Sequence, residues 1–295
     1  MGGVSERALI DVEKVRAAAL RPAGAWASVD VVDAAPSTNT LLLEIAAQAE
    51  REGEPLAAPA ALAAEHQTAG IGRAGRTWET PPRAALTVST LLRPAASADA
   101  LGWLPLLTGV AVVRVLRAAG VPASLKWPND VLLPAADEVD GFGPWRKVAG
   151  ILAQGVPGGD GVVVGVGLNV TQPAVELPVP TATSLALAGA PESALDRTAL
   201  LTAYLAELAA VVGRWAADDG DVHAPGPGGG PSLADEYADR CATLGASVRV
   251  ELAGGAGVVE GRAAHLTVDG ALVVARDDGS VRMVTAGDVH HLRRA

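Results

Sequence analysis

The sequence holds a single cysteine, Cys241, which excludes an internal disulfide and a cysteine-built zinc site and fits a reducing compartment. Lysine is almost as scarce and stands only at Lys14, Lys126 and Lys147, the other Lys/Arg positions all being arginine. In a composition drifted so far toward arginine, a retained lysine marks a place where guanidinium does not replace a compact ammonium. Positive charge as a whole is short: 23 Lys and Arg face 33 Asp and Glu, for a net charge of -10. No global field holds a polyanion, so nucleic acid is not an expected partner. A bilayer-length apolar run is also missing, because 101–113, the longest, is interrupted by Pro105 and closed by Arg114, short of the roughly 20 residues a span needs. It reads as a core helix. The opening MGGVSERALIDVEK lacks the basic start and apolar stretch of a signal peptide, so a cytoplasmic protein without membrane association is expected.

What is present is a chain of 295 residues, 49% hydrophobic, long enough for a large domain and a small one. The expected division is 1–239 and 240–295, with 1–30 weakly defined apart from a short helix and too short for a winged-helix domain. Ser37 precedes the periodic run 40–49 and reads as a helix N-cap. Residues 60–66 read as a buried strand, 67–78 as a glycine-rich loop, 85–93 as a strand with Leu86 and Val88 facing one way, and 99–119 as a long helix. Short strands follow at 123–127 and 131–133, then two apolar runs, 147–156 and 161–170, joined by the hairpin signal Pro157-Gly158-Gly159-Asp160. Residues 195–215 are helical in pattern, while 134–145 and the Gly/Pro-rich 218–231 read as open loops, the latter mobile. From 246 onward, short strands at 247–252, 258–266, 271–275 and 281–284 suggest a small barrel. The fold class is α+β: a mixed sheet with helices packed on it, plus that barrel.

Chemistry concentrates in two segments. In Gly70-Ile71-Gly72-Arg73-Ala74-Gly75-Arg76-Thr77-Trp78, glycines let backbone amides approach an anion, and two guanidiniums offset spread negative charge of the kind an adenylyl transfer develops. Alone, the string reads equally well as a surface turn with solvated arginines. It is not a P-loop, since no Gly-Lys-Ser/Thr closes it, and no dinucleotide fingerprint opens it. The second segment is Lys126-Trp127-Pro128-Asn129-Asp130, followed by Lys147-Val148-Ala149-Gly150-Ile151-Leu152. A lysine at a strand end before an extended Trp-Pro turn can reach a substrate oxygen as a point charge; a solvated lysine beside a packed tryptophan is the plainer alternative.

In order, Ser37-Thr38-Asn39, 67–78, 126–130, 147–152, Gly165-Val166-Gly167-Leu168-Asn169 and Ala182-Thr183-Ser184-Leu185 resemble the biotin protein ligases. The resemblance runs from Ser37 to Leu185, and the C-terminal strands resemble that family's SH3-like domain. It implies a class II synthetase-like catalytic domain that makes biotinyl-5'-AMP from biotin and ATP with Mg2+, without a prosthetic group. Biotin then passes to a lysine of the biotin carboxyl carrier domain of an acyl-CoA carboxylase. By resemblance, Ser37, Thr38, Asn39, Gln67, Gly70, Gly72 and Gly150 form the biotin pocket with Arg73 and Lys126, the two catalytic cations. Arg76, Trp78, Asn129 and Asn169 join those cations around ATP, and Asp130 helps hold Mg2+ through waters. Ile71 departs from the pattern, since many members carry an arginine there. A lipoate or octanoate transferase and a catalytically silent biotin-binding module are the alternative readings; a biotin-sensing repressor would need a DNA-binding domain. A monomer or weak homodimer is expected.

Overall fold

The computed structural model describes residues 7–292; residues 1–6 and 293–295, parts of the expected N-terminal segment and C-terminal domain, lie outside the described residues. In chain order the elements are α1 (Val12–Ala19), β1 (Ser28–Val32), α2 (Thr38–Glu52), β2 (Ala60–Ala64), β3 (Ala85–Leu92), α3 (Leu104–Ala118), β4 (Ser124–Lys126), β5 (Asp130–Val139), β6 (Gly143–Gly155) and β7 (Val162–Asn169). Then come α4 (Arg197–Ala217), α5 (Leu233–Arg240), β8 (Ser247–Leu252), β9 (Val258–Leu266), β10 (Leu272–Ala275), β11 (Val281–Val284) and β12 (Gly287–His291). They form two compact units: 1–93, 149–179 and 183–206 make one, and 94–148, 180–182 and 207–295 the other.

In the first unit the sheet runs β1-β2-β3-β7 and ends on the second half of β6. Only β1 and β2 are parallel; the other neighbours are antiparallel, so the sheet is mixed as expected. Every residue of β2 and β3 is buried. The one-faced alternation expected at 85–93 is therefore replaced by burial of both faces, with the hydroxyls of Thr87, Ser89 and Thr90 hydrogen-bonded inside. Ser37 caps α2 by accepting from Thr40 N, and Gly53 ends it in the left-handed conformation, φ 76°. The helix lays Leu42, Ala46 and Ala47 on Ala60, Leu62, Leu91, Val156 and Val163. Below the start of the glycine-rich loop lies a buried ion pair, Glu65 to Arg197 at 2.7 Å. Glu65 also accepts from Ile10 N (2.6 Å), and so ties the N-terminal segment to the end of β2.

In the second unit the expected helix at 99–119 is divided. A 3-10 turn spans Ala98–Trp103, and Pro105 then sits in the first turn of α3, where its missing N–H costs nothing. Together these form an apolar stretch, Ala98–Ala118, that by length and composition could cross a bilayer, as could Arg197–Ala217; the former is mostly buried inside the protein. Trp103 packs edge-on against Tyr237 of α5, with ring centroids 5.9 Å apart. Arg114 holds Glu236 through two bonds of 2.7 Å.

Two expected loops are ordered instead. Residues 134–145 continue β5 to Val139 and begin β6 at Gly143, so the open loop is a β-hairpin. Its charged side chains masked a strand that is held by pairing, not by an apolar face. The Gly/Pro-rich stretch 218–231 is anchored through Trp215 Nε1 to Gly220 O (2.7 Å), Arg214 Nη2 to Pro231 O (3.0 Å) and a buried Val222. The C-terminal strands form an antiparallel sheet in the order β11-β10-β9-β8-β12. The pattern predicted a small barrel; the described strands make a sheet whose edges are β11 and β12. The unexpected fifth strand, β12, is Gly-Asp-Val-His-His, with no alternation to reveal it, and pairs with β8 along its whole length.

Candidate active site

The first unit builds a buried polar network where the first turn of α2 meets β3 and the loop after β2. Capping by Ser37 points Thr38 and Asn39 inward, 3% and 4% exposed. Gln67 Oε1 accepts from Thr38 N (2.8 Å) and Thr38 Oγ1 (3.1 Å). Ser89 Oγ on β3 donates to Asn39 Oδ1 (2.6 Å) and lies 2.7 Å from Thr38 Oγ1. Asn39 Nδ2 donates to Leu152 O (3.1 Å) and Gln154 Oε1 (2.9 Å). Of these, Ser37, Thr38, Asn39 and Gln67 were expected from sequence and are brought together. Ser89 and Gln154 were missed, since isolated polar residues within strands carry no motif.

The glycine-rich loop is a tight hairpin. Trp78 N donates to Gly70 O (2.8 Å) and Gly72 N to Arg76 O (2.6 Å), with a 3-10 turn at Arg73–Gly75. Three glycines have steric reasons. A β-carbon at Gly70 would stand 2.3 Å from Trp78 O, one at Gly165 2.2 Å from Asn39 Oδ1, and one at Gly167 2.5 Å from the Trp78 indole. Gly150 pairs with Gly167 across β6 and β7, and the indole covers the Gly167 backbone of that pair. Trp78, expected around ATP, thus packs its indole against β7. Arg73 and Arg76 stand at the hairpin tip, Arg73 partly covered and Arg76 exposed; Ile71 is 46% exposed.

Asn169, expected beside the phosphates, is 5% exposed. It donates to Thr183 O (2.9 Å) and accepts from Gln172 Nε2 (2.9 Å), so its amide holds the segment 183–185 in place.

The second unit carries the lysines. The β4–β5 hairpin pairs Lys126 directly with Asp130 across the turn that contains Asn129, so their side chains share a face. Lys126 Nζ lies 4.0 Å from Asp130 Oδ2, and Lys147 Nζ 2.6 Å from Asp130 Oδ1. Lys126 is the more enclosed, 7% against 28% exposed for Lys147. Lys147 was in the quoted motif but was given no role; the scarcity of lysine was the signal that marked it. With both carboxylate oxygens facing ammoniums, Asp130 does not fit a magnesium ligand. Among the described residues no group of three or more His, Cys, Asp or Glu could hold a metal ion.

Residues 31–170, which carry this buried polar network and the glycine-arginine hairpin, match the biotin/lipoate A/B protein ligase family. Residues 243–292 match the biotin protein ligase C-terminal domain. The chain is 38% identical to the biotin--[acetyl-CoA-carboxylase] ligase of Mycobacterium tuberculosis over 96% of each chain. It is 35% identical to the bifunctional ligase/repressor BirA of Escherichia coli over 63% of this chain and 53% of that protein. Among solved structures, the biotin protein ligase from Aquifex aeolicus in complex with biotin and ATP superposes with a TM-score of 0.65 at 25% identity, covering 90% of this chain and 98% of that one. The chain belongs to the biotin protein ligase family.

Proposed function

We propose that this chain activates biotin with ATP to biotinyl-5'-AMP and transfers the acyl group to a lysine of a biotin carboxyl carrier domain. The observation that carries the reading is near-full-length similarity to a biotin ligase, in a chain that also holds a buried polar network at Thr38, Asn39, Gln67 and Ser89. A neutral ureido ring offers two donors and an acceptor, which matches the hydroxyl and amide groups around Thr38, Gln67 and Ser89. The bare backbone of Gly150, beside the Trp78 indole seated on Gly167, suits the apolar thiophane ring.

In the first step a biotin carboxylate oxygen forms a bond to the α-phosphorus, the bond to the bridging oxygen breaks, and pyrophosphate leaves. Arg73 and Lys126 offset the developing charge, and Lys147 shares this work from the other side of Asp130. In the second step the carrier amine attacks the acyl carbon, AMP departs and the amine loses its proton to solvent. Closing of the 67–78 hairpin keeps water from the mixed anhydride in between. Magnesium bound to the triphosphate would offset part of its charge; the chain's own contribution is the cationic pair. We place the catalytic domain at 1–239 and the SH3-like domain at 240–295, in a cytoplasmic enzyme.

Biotin-dependent exchange of labelled pyrophosphate into ATP, followed by labelling of a carrier domain at its lysine, tests the reading. Exchange without biotin dependence, or exchange driven equally by lipoate, refutes it; biotin binding without exchange would make the chain a silent module.

A further inference from the structure

We propose that Phe142 is a positioning residue for the activation step, its ring face seating the Lys126 ammonium while strand β12 holds that seat in place. This rests on the reading of Lys126 as a cation that acts on the acyl carboxylate. Lys126 Nζ stands 4.6 Å from the centroid of the Phe142 ring, within the distance at which the ring quadrupole attracts a cation. The Lys126 side chain is only 7% exposed, and a cation in such an enclosed place is stabilised by the groups that face it. Asp130 supplies part of it at 4.0 Å but is closer to Lys147. A second carboxylate would hold Lys126 equally well and would cancel the positive sign that an anionic substrate needs. An aromatic face attracts the cation and adds no charge.

The seat is built by the tip of the hairpin that the sequence had suggested was open. Phe142 N donates to Val139 O (3.0 Å), closing a turn through Asp140 and Gly141. Gly141 has φ +74°, and a β-carbon there would stand 2.8 Å from His290 Nδ1, so both the turn and the close passage of β12 require glycine. His291 N donates to Gly141 O (3.0 Å). The His291 ring reaches Thr243 Oγ1 (3.1 Å), which accepts from the backbone N of Trp127 (3.2 Å). One residue of β12 is thereby tied both to the turn beneath the Lys126 ammonium and to the residue that follows Lys126. Burial first, then the nearby Lys126 and His290, push His291 down to about 4, so at neutral pH it adds no competing charge.

The test uses the full chain and biotin-dependent pyrophosphate exchange. Phe142→Leu keeps an apolar side chain and removes the quadrupole; kcat falls about tenfold while KM for biotin stays within about twofold. Phe142→Tyr restores kcat, and Phe142→Met, a second variant in case Leu misfolds, does not. In a Lys126→Met background, Phe142→Leu causes no further loss. The proposal is overturned if Phe142→Leu and Phe142→Met exchange like the parent, or if Tyr loses as much as Leu. A Lys126→Met variant with normal exchange overturns the role of Lys126 itself, whereas an inactive Lys126→Met beside a fully active Phe142→Leu overturns only the seat.

Discussion

The indole of Trp78 lies on the backbone of Gly167 so closely that a β-carbon at that position would stand 2.5 Å from the ring. Because Trp78 N also bonds to Gly70 O (2.8 Å), the ring's seat on β7 is the footing of the whole glycine hairpin. Gly167→Ala forces the indole off the strand. Overpacking of this kind costs about 1–3 kcal/mol, and here the cost falls on the wall proposed for the biotin pocket. We expect KM for biotin in pyrophosphate exchange to rise about fivefold or more. An unchanged KM would remove Trp78 from that wall.

Ser89 is fully buried, and its hydroxyl is the shared neighbour of Thr38 and Asn39. Ser89→Ala leaves Asn39 Oδ1 without its donor in a dry place, at a cost of about 1–3 kcal/mol. Thermal denaturation should show the loss as a lower melting temperature, and titration calorimetry as weaker biotin binding. A variant that melts lower but binds biotin as tightly as the parent would confine Ser89 to a packing role.

The α2 cap and the β6–β7 hairpin were legible in the sequence because each carries local punctuation, Ser37 and the 157–160 turn; the glycines marked 67–78 as a loop, and its hairpin bonds appear only in the structure. Ser89 was not, because nothing near it in sequence says that Thr38 and Asn39 will arrive beside it from another element. Asn169 read as a phosphate contact, yet both ends of its amide are engaged by Gln172 and Thr183. Strand β12 escaped because its strand character comes from β8, its partner, and not from its own residues. The pairing of Asp130 with Lys147, 17 positions on in the chain and 2.6 Å away, had no mark in the sequence.

The two ammoniums that flank Asp130 make separable demands. Lys126→Ala removes the enclosed cation and leaves Asp130 paired with Lys147; Lys147→Ala removes the more open one. If each offsets charge in the activation step, each variant lowers kcat for pyrophosphate exchange by about a hundred- to a thousandfold. Transfer from biotinyl-AMP supplied ready-made should be less affected, because that step no longer develops charge at phosphorus. Normal exchange by either variant would strike that lysine from the mechanism.

His291 makes stability depend on pH in a direction that follows from its burial. The ordinary imidazole value is 6.5, and in the folded chain burial first, then Lys126 and His290, depress it to about 4. The unfolded chain therefore binds a proton near pH 6.5 that the folded chain refuses until about pH 4. Its contribution is present above pH 6.5, declines as pH falls through that window, and is gone below about 4, a loss of at most about 3 kcal/mol. His291→Gln keeps an acceptor for Thr243 and removes the proton site. Melting temperatures measured from pH 7.5 to 4 should fall less steeply for this variant than for the parent. Parallel curves would mean that His291 takes up its proton in the folded chain as readily as in the unfolded one.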